Sequence, residues 1–496
     1  VNKIKQKKTP FFDALLSYNN QNVTPFDVPG HKLGRLKNEF TKIVGSKTMQ
    51  LDVNLPRGLD NLNSPRGVIK QAQELLADAY DADHGFFVVN GSSAGVITMI
   101  LAVAKAKEKI IMPRNVHKSV ISGLTLSGAI PIFVNPLIDH DLGIANDVSF
   151  DVYKSAIDKH PDSKAILMIH PTYFGVVGDA KKIIDYAHKR NMLVISDEAH
   201  GVHFPFSSLM PKSAFAVGAD IAAASMHKTG GSLTQSSILI MRESKKLKMP
   251  HVQSILAMLQ TTSPSNLMLA SIDVARKELA INGEKMLKNA VKLSEYAKVS
   301  LNKIKGIRVA DKAYFQKRGS YSHDPTKLII KVDELGLSGF EVYKKIKDIY
   351  KVQLELAESN VVLAIISIGT TKVDVDNLVN AFSMLSKQYY GKIKAVKSSM
   401  VKFKYPTKRI RPRDAYNAPK KFVKLSAALG EISAESIMIY PPGIPLVIPG
   451  ETISKEIIEA IKGYAKTGIT MITQIDQMVE VIDRKKWNKE DTIDEV

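Results

Sequence analysis

Five apolar segments in the first half of the chain end in clusters of polar residues, with helix-like stretches between them. They are "GFFVVN" (85–90), "KIIMPRNVHK" (109–118), "KAILMIHPT" (164–172), "MLVISDEAHG" (192–201) and "ADIAAASMHK" (219–228). An unbroken apolar strand needs both faces of its sheet covered, which is the habit of parallel sheets with helices on each side. The sequence therefore predicts an α/β fold built on a mainly parallel sheet flanked by helices. Ligands of such sheets collect where the strands end at their carboxyl edge. One polar ending would mean little, but five make that edge the candidate site.

A chain of 496 residues is too long for one core. Changes of texture suggest an N-terminal segment (1–50), a large domain (51–300), a small α+β domain (301–395) and a C-terminal domain (396–496). No run of 18 apolar residues is present, so no membrane contact is expected. The basic N-terminus lacks the apolar core of a signal peptide, and a cytoplasmic location is expected. The absence of cysteine excludes disulfides, thiolate metal sites and a cysteine nucleophile, and no metal site is expected. The net charge of +20 would suit nucleic acid, yet the cations are spread along the chain. The one dense run, "KFKYPTKRIRPR" (402–413), carries two prolines and reads as a solvated linker, so no nucleic-acid partner is expected.

Each polar cluster has an ordinary reading alone and a sharper one in company. In "VVNGSSAGV" (88–96), glycine and serine sit where a strand turns into a helix. Such serines are common caps, but N–H groups and hydroxyls there also hold phosphate. The spacing is neither GxGxxG nor a P-loop, which disfavours dinucleotides and nucleoside triphosphates. Asp197 ends an apolar strand, where a buried carboxylate needs a cationic partner such as a protonated pyridine nitrogen. His117 opens a helix, where an imidazole can cap or stack on a flat ring. Lys228 follows "ADIAAASMH"; most lysines beside glycine are exposed, but a partly desolvated amine can attack an aldehyde. Taken together in sheet order, these parts describe a pyridoxal 5′-phosphate (PLP) site anchored on Lys228. On these motifs alone a decarboxylase, an aldolase, another lyase and a transaminase all remain open.

The sequence also resembles the fold-type-I, PLP-dependent ornithine/lysine/arginine decarboxylases, whose fold is like that of aspartate aminotransferase. The matching segments run nearly end to end: "FDVPGHKLG" (26–34), "NGSSAG" (90–95), "PRNVHKS" (113–119), "PTYFG" (171–175), "DEAHGVHF" (197–204), "SMHKTGGSLTQSS" (225–237), "TTSPS" (261–265), "PRDAY" (412–416) and "YPPGIPLVIPGE" (440–451). Within the family it looks most like the short Gram-positive-type enzymes, since "PGHK" comes too early for an N-terminal wing domain.

The resemblance implies decarboxylation of a basic amino acid, with arginine ranked first, lysine second and ornithine third. It implies that Lys228 carries PLP, that Asp197 keeps the ring nitrogen protonated, and that His117 and Ala199 cover its two faces. Ser92, Ser93, Ala94, Ser225 and His227 would bind the phosphate. Thr172, Tyr173 and His200 would lie near cofactor or substrate, with Lys228 or His200 as the acid that protonates the product carbon. Glu355 would meet the substrate's distal cation. A homodimer or larger oligomer is implied, with Thr262 and Ser263 lent to the neighbouring site. Three positions depart from the family pattern: His170 where Asn is usual, Asp27 where His is usual, and Glu431 where Arg is common. None belongs to the cofactor set.

Overall fold

The chain forms two units, Val1–Val103 with Leu193–Asn289 and Ala104–Met192 with Ala290–Val496. The computed structural model describes residues 3–56, 58–392, 406–440, 444–466, 470–473, 475 and 477–487. Part of the basic run (402–405), the Pro-Pro-Gly at 441–443 and the tail from 488 onward lie outside the described residues. The elements used below are, in chain order, β1 (His84–Val88), α1 (Gly91–Val103), β2 (Lys109–Pro113), α2 (Lys118–Ser127), β3 (Ile130–Val134), β4 (Ala165–Ile169), β5 (Leu193–Asp197), β6 (Ile221–Ala224), α3 (Met226–Thr229), β7 (Ser237–Met241), α4 (Met249–Leu259), α5 (Asn266–Leu301), β8 (Arg308–Ala310), β9 (Lys327–Lys331), β10 (Leu356–Ala357), β11 (Val361–Ile365) and α6 (Pro412–Asn417).

In the first unit the strands lie side by side in the order β1, β7, β6, β5. β5 and β6 are parallel, with Asp197 opposite Ala223, and every residue of both is buried. Burial on both faces is what their unbroken apolar sequences require. β7 runs antiparallel to β1 and β6. It is an exception to the expected parallel pattern, and chain length explains it. Only residues 225–236 separate β6 from β7, with a single short helix among them. Twelve residues are about the lower limit for a parallel crossover, and a four-residue helix is too short to run back along the sheet, so the chain re-enters at the end it has just left.

Helix α1 buries Ala94, Gly95, Val96, Thr98, Met99, Ile100 and Val103. It packs on β6 at very short range: a Cβ added to Gly95 would lie 2.9 Å from the Cβ of Ala223. That approach sets the start of α1 beside the end of β6.

In the second unit β4, β2 and β3 form a parallel set, with α2 connecting β2 to β3. Strands β8, β9, β11 and β10 form a separate antiparallel sheet. Capping boxes at Ser338/Glu341 and Thr371/Asp374 open the helices Gly339–Tyr350 and Lys372–Tyr389, whose apolar sides join that sheet's core. The C-terminal part pairs Lys420–Lys424 with Met478–Ile482 around its own apolar cluster. Among the described residues, no helix is long and apolar enough to cross a membrane.

Gly95→Ala should destabilise the protein by about 1–2 kcal/mol, because overpacking outweighs the gain in helix propensity. Urea unfolding of variant and parent checks this, and equal midpoints would mean that α1 can back away from β6 at no cost.

Candidate active site

The first unit gathers most of the residues singled out by sequence. Gly91 has φ +72°, a left-handed conformation that suits glycine, and lets the chain turn from β1 into α1. Ser92, Ser93 and Ala94 then form the first helical turn, where backbone N–H groups point out of the helix. Because α1 lies so close to β6, the Ser92 and Ser225 hydroxyls meet, with Ser225 Oγ donating to Ser92 Oγ at 2.8 Å. His227 Nδ1 lies 2.9 Å from the Ser236 carbonyl and donates to it, which leaves Nε2 as the other ring nitrogen.

Lys228 lies in α3, the short helix that follows β6, and its Nζ is 2.9 Å from His200 Nε2. His200 is buried, three residues past the end of β5. Asp197 ends β5 and is itself buried. Burial pushes its pKa up, while the Ala199 amide, which donates to Oδ1 at 3.1 Å, and the Lys228 charge pull it down. A cation facing this carboxylate would lower its pKa further. The first unit's donor set therefore fits PLP: hydroxyls and helix N–H groups for the phosphate, an amine for the aldehyde, and a buried carboxylate for the ring nitrogen.

Two further polar residues here received no role from sequence. Glu198, beside Asp197, is buried with Oε1 accepting from the Phe215 amide at 2.8 Å, and burial raises its pKa to about 8. His203 is buried with Nδ1 2.9 Å from the Thr229 hydroxyl, next to Lys228. The signal was present in "DEAHGVH", where a second histidine stands three residues after His200. Thr262 and Ser263 are exposed between α4 and α5, in a turn whose Thr261 carbonyl accepts from Asn63 Nδ2 at 3.3 Å.

The second unit holds the remaining candidates. His117 is the N-cap of α2; Nδ1 accepts from the Ser119 amide at 3.2 Å, so the neutral ring carries its proton on Nε2. Thr172 is buried, and its Oγ1 accepts from the Val176 amide at 3.1 Å across a tight turn. The next residue, Tyr173, donates its hydroxyl to Glu355 Oε1 at 2.5 Å, so two residues 182 positions apart in sequence form one acidic group. Of the departures, His170 is buried and lines a small cavity with Asn146 and Asp147. Glu431 pairs with Lys421 at 3.1 Å.

Residues 9–374 match the Orn/Lys/Arg decarboxylase major domain, and residues 394–471 match the Orn/Lys/Arg decarboxylase C-terminal domain. An arginine decarboxylase of Bacillus subtilis is 42% identical over 97% of this chain and 99% of its own length. An arginine decarboxylase of Halalkalibacterium halodurans is 41% identical over 94% of this chain and 95% of its own. Among solved structures, the Francisella novicida lysine decarboxylase LdcF superposes with a TM-score of 0.83 at 19% identity. That match covers 96% of this chain and 81% of the other.

Glu198 gives the site's strand a pH signature. Its folded pKa, about 8, lies above the ordinary carboxylate value of 4.5. Between these values the unfolded chain sheds a proton that the folded chain keeps, so this residue's contribution to stability falls as pH rises from 5 to 8. Glu198→Gln, which keeps an acceptor for the Phe215 amide, should remove that fall. Urea unfolding at pH 5 and pH 8 should show the variant gaining on the parent at the higher pH. A difference independent of pH would mean that Glu198 is ionised in the folded protein.

Proposed function

Since the chain belongs to the Orn/Lys/Arg decarboxylase family, we propose that it removes the α-carboxylate of L-arginine as CO2, leaving agmatine, with PLP held on Lys228. The observation that carries the chemistry is the end of β5 and β6 in one unit. There Lys228, His200 and Asp197 occupy adjacent strand ends, and Ser92 meets Ser225 on the next turn of chain. The choice of arginine rests on the name of the Bacillus subtilis relative, which matches this chain over nearly its whole length. A transaminase usually clamps the α-carboxylate with arginine, whereas a decarboxylase must leave it free to depart.

PLP supplies an aldehyde that captures the substrate's amine and a protonated ring that accepts the electron pair left as CO2 departs. Lys228 would hold the cofactor through Nζ, and the same amine can carry a proton at the site. His200 Nε2, 2.9 Å from Nζ, takes or returns the proton there as Lys228 changes role. Asp197, buried, opposes a ring-nitrogen proton at a place where water cannot screen the charge. Ser92, Ser93, Ala94, Ser225 and His227 bind the phosphate, helped by the positive end of α1. The resemblance supports His117 and Ala199 as the residues that cover the ring's two faces, and Thr172 as one near cofactor or substrate. The Tyr173–Glu355 pair supplies the negative charge that a guanidinium at the far end of the substrate requires. Thr262 and Ser263, exposed in the single chain, serve the site of a partner copy in a homodimer or larger assembly. The enzyme works in the cytoplasm.

Two measurements test this. CO2 release and amine product are followed for the PLP-loaded protein with L-arginine, L-lysine and L-ornithine separately. Fast release from arginine with agmatine as product is expected; cadaverine from lysine would overturn the substrate while keeping the reaction. Lys228→Ala should lose the visible absorbance of covalently held cofactor that survives gel filtration. An unchanged spectrum would place the anchor on another lysine.

A further inference from the structure

We propose that the C-terminal segment acts as a brace for cofactor binding, with Arg114, Glu451 and Arg413 as positioning residues that hold the helix presenting His117. The inference rests on the reading of His117 as a cofactor contact. Its own evidence lies within the second unit.

His117 caps the N-terminus of α2, three residues after Arg114. Arg114 follows directly on β2, and its backbone N–H donates to the Val134 carbonyl at 2.8 Å, so it is fixed to β3. Its guanidinium is 1% exposed, and it donates three hydrogen bonds into the C-terminal segment. Nη1 donates to the Pro445 carbonyl at 2.9 Å; Nη2 donates to the Leu446 carbonyl at 3.2 Å and to Glu451 Oε2 at 2.9 Å. Glu451, 2% exposed, also accepts from the Ile448 amide at 2.9 Å. The Phe133 ring lies 5.1 Å from the guanidinium carbon.

The other end of α2 is gripped from the same segment. Arg413, in α6, donates Nε to the Thr125 carbonyl at 3.0 Å and Nη2 to the Leu126 carbonyl. Last-turn carbonyls lack intrahelical donors, and a cation there also suits the helix dipole. Gly128 ends α2 at φ +69°, and a Cβ at that position would stand 2.8 Å from Arg413 Nη1. The glycine makes room for the guanidinium. A ten-residue helix fixed by a buried ion pair before its first turn and by an arginine at its last cannot pivot. Its N-cap imidazole is therefore held in place by residues more than 280 positions later in the chain.

The test is the PLP dissociation constant of the apo-protein, measured by absorbance titration for Glu451→Gln, Arg413→Ala and His117→Ala, and for each brace variant combined with His117→Ala. Arg413 is only half-buried, so its variant folds even if Glu451→Gln does not. Each single variant should weaken PLP binding roughly tenfold. In the His117→Ala background neither brace variant should weaken it further, because residues acting through one group are not additive. A purely structural role would instead give effects that multiply in the double variants, and that result overturns the brace. So does parental affinity in both brace variants while His117→Ala binds weakly. Parental affinity in His117→Ala would overturn the cofactor role of His117 and the brace together, without touching the reading of Lys228.

Discussion

The candidate site of the first unit depends on one missing methyl group. Gly95 lets the backbone of α1 come so close to β6 that a Cβ would sit 2.9 Å from Ala223. Ala223 is also the residue opposite Asp197 in the parallel β5–β6 pair. A single point of backbone contact thus sets three things in register: the first turn of α1, the end of β6 that leads to Lys228, and the end of β5. The 2.8 Å contact of Ser92 with Ser225 follows from it. The alanines Ala222, Ala223 and Ala224 of β6 serve the same end, since larger side chains would hold α1 away.

Asp197 and Glu198 are neighbours, both buried, and both raised in pKa by that burial. Their surroundings separate them. Asp197 feels the Lys228 charge, which favours the carboxylate. Glu198 is surrounded by the Phe215 amide and two serine hydroxyls, none of them charged, and the Asp197 carboxylate raises it further. Two adjacent buried anions would repel strongly in a medium that screens poorly. Keeping Glu198 protonated near neutral pH leaves Asp197 as the one carboxylate able to oppose a cation, with a raised-pKa partner behind it.

Much of this could be read from the sequence because strand ends and helix starts have strong local signals. The apolar runs ending in "NGSS", "SDEAH" and "SMHK" placed Ser92, Asp197, His200, Ser225 and Lys228 at one edge of a mainly parallel sheet, and the family resemblance supplied the fold-type-I architecture. What stayed hidden was set by distance along the chain. The antiparallel course of β7 depends on how short a connection is, not on its own composition. Nothing local marks Arg114 as the partner of Glu451, 337 residues away. Glu355 was singled out by resemblance alone, and its contact with Tyr173 joins segments that no periodicity connects. His203 received no role from the sequence, and its contact with Thr229 joins two segments that only the fold brings together.

The Arg114–Glu451 pair shows why such distant contacts persist although they add little stability. Removing two charges from water costs several kcal/mol per ion, and their attraction recovers this only when every remaining donor and lone pair is used. Here the Pro445 and Leu446 carbonyls and the Ile448 amide add directional bonds to the pair, which favours one seating of the C-terminal segment. An apolar contact of equal size would hold the segment as firmly but allow it to slide, since burial of apolar surface has no direction. The directional bonds of a buried guanidinium fix position rather than energy. Position is what an imidazole must have if it is to lie against a flat ring.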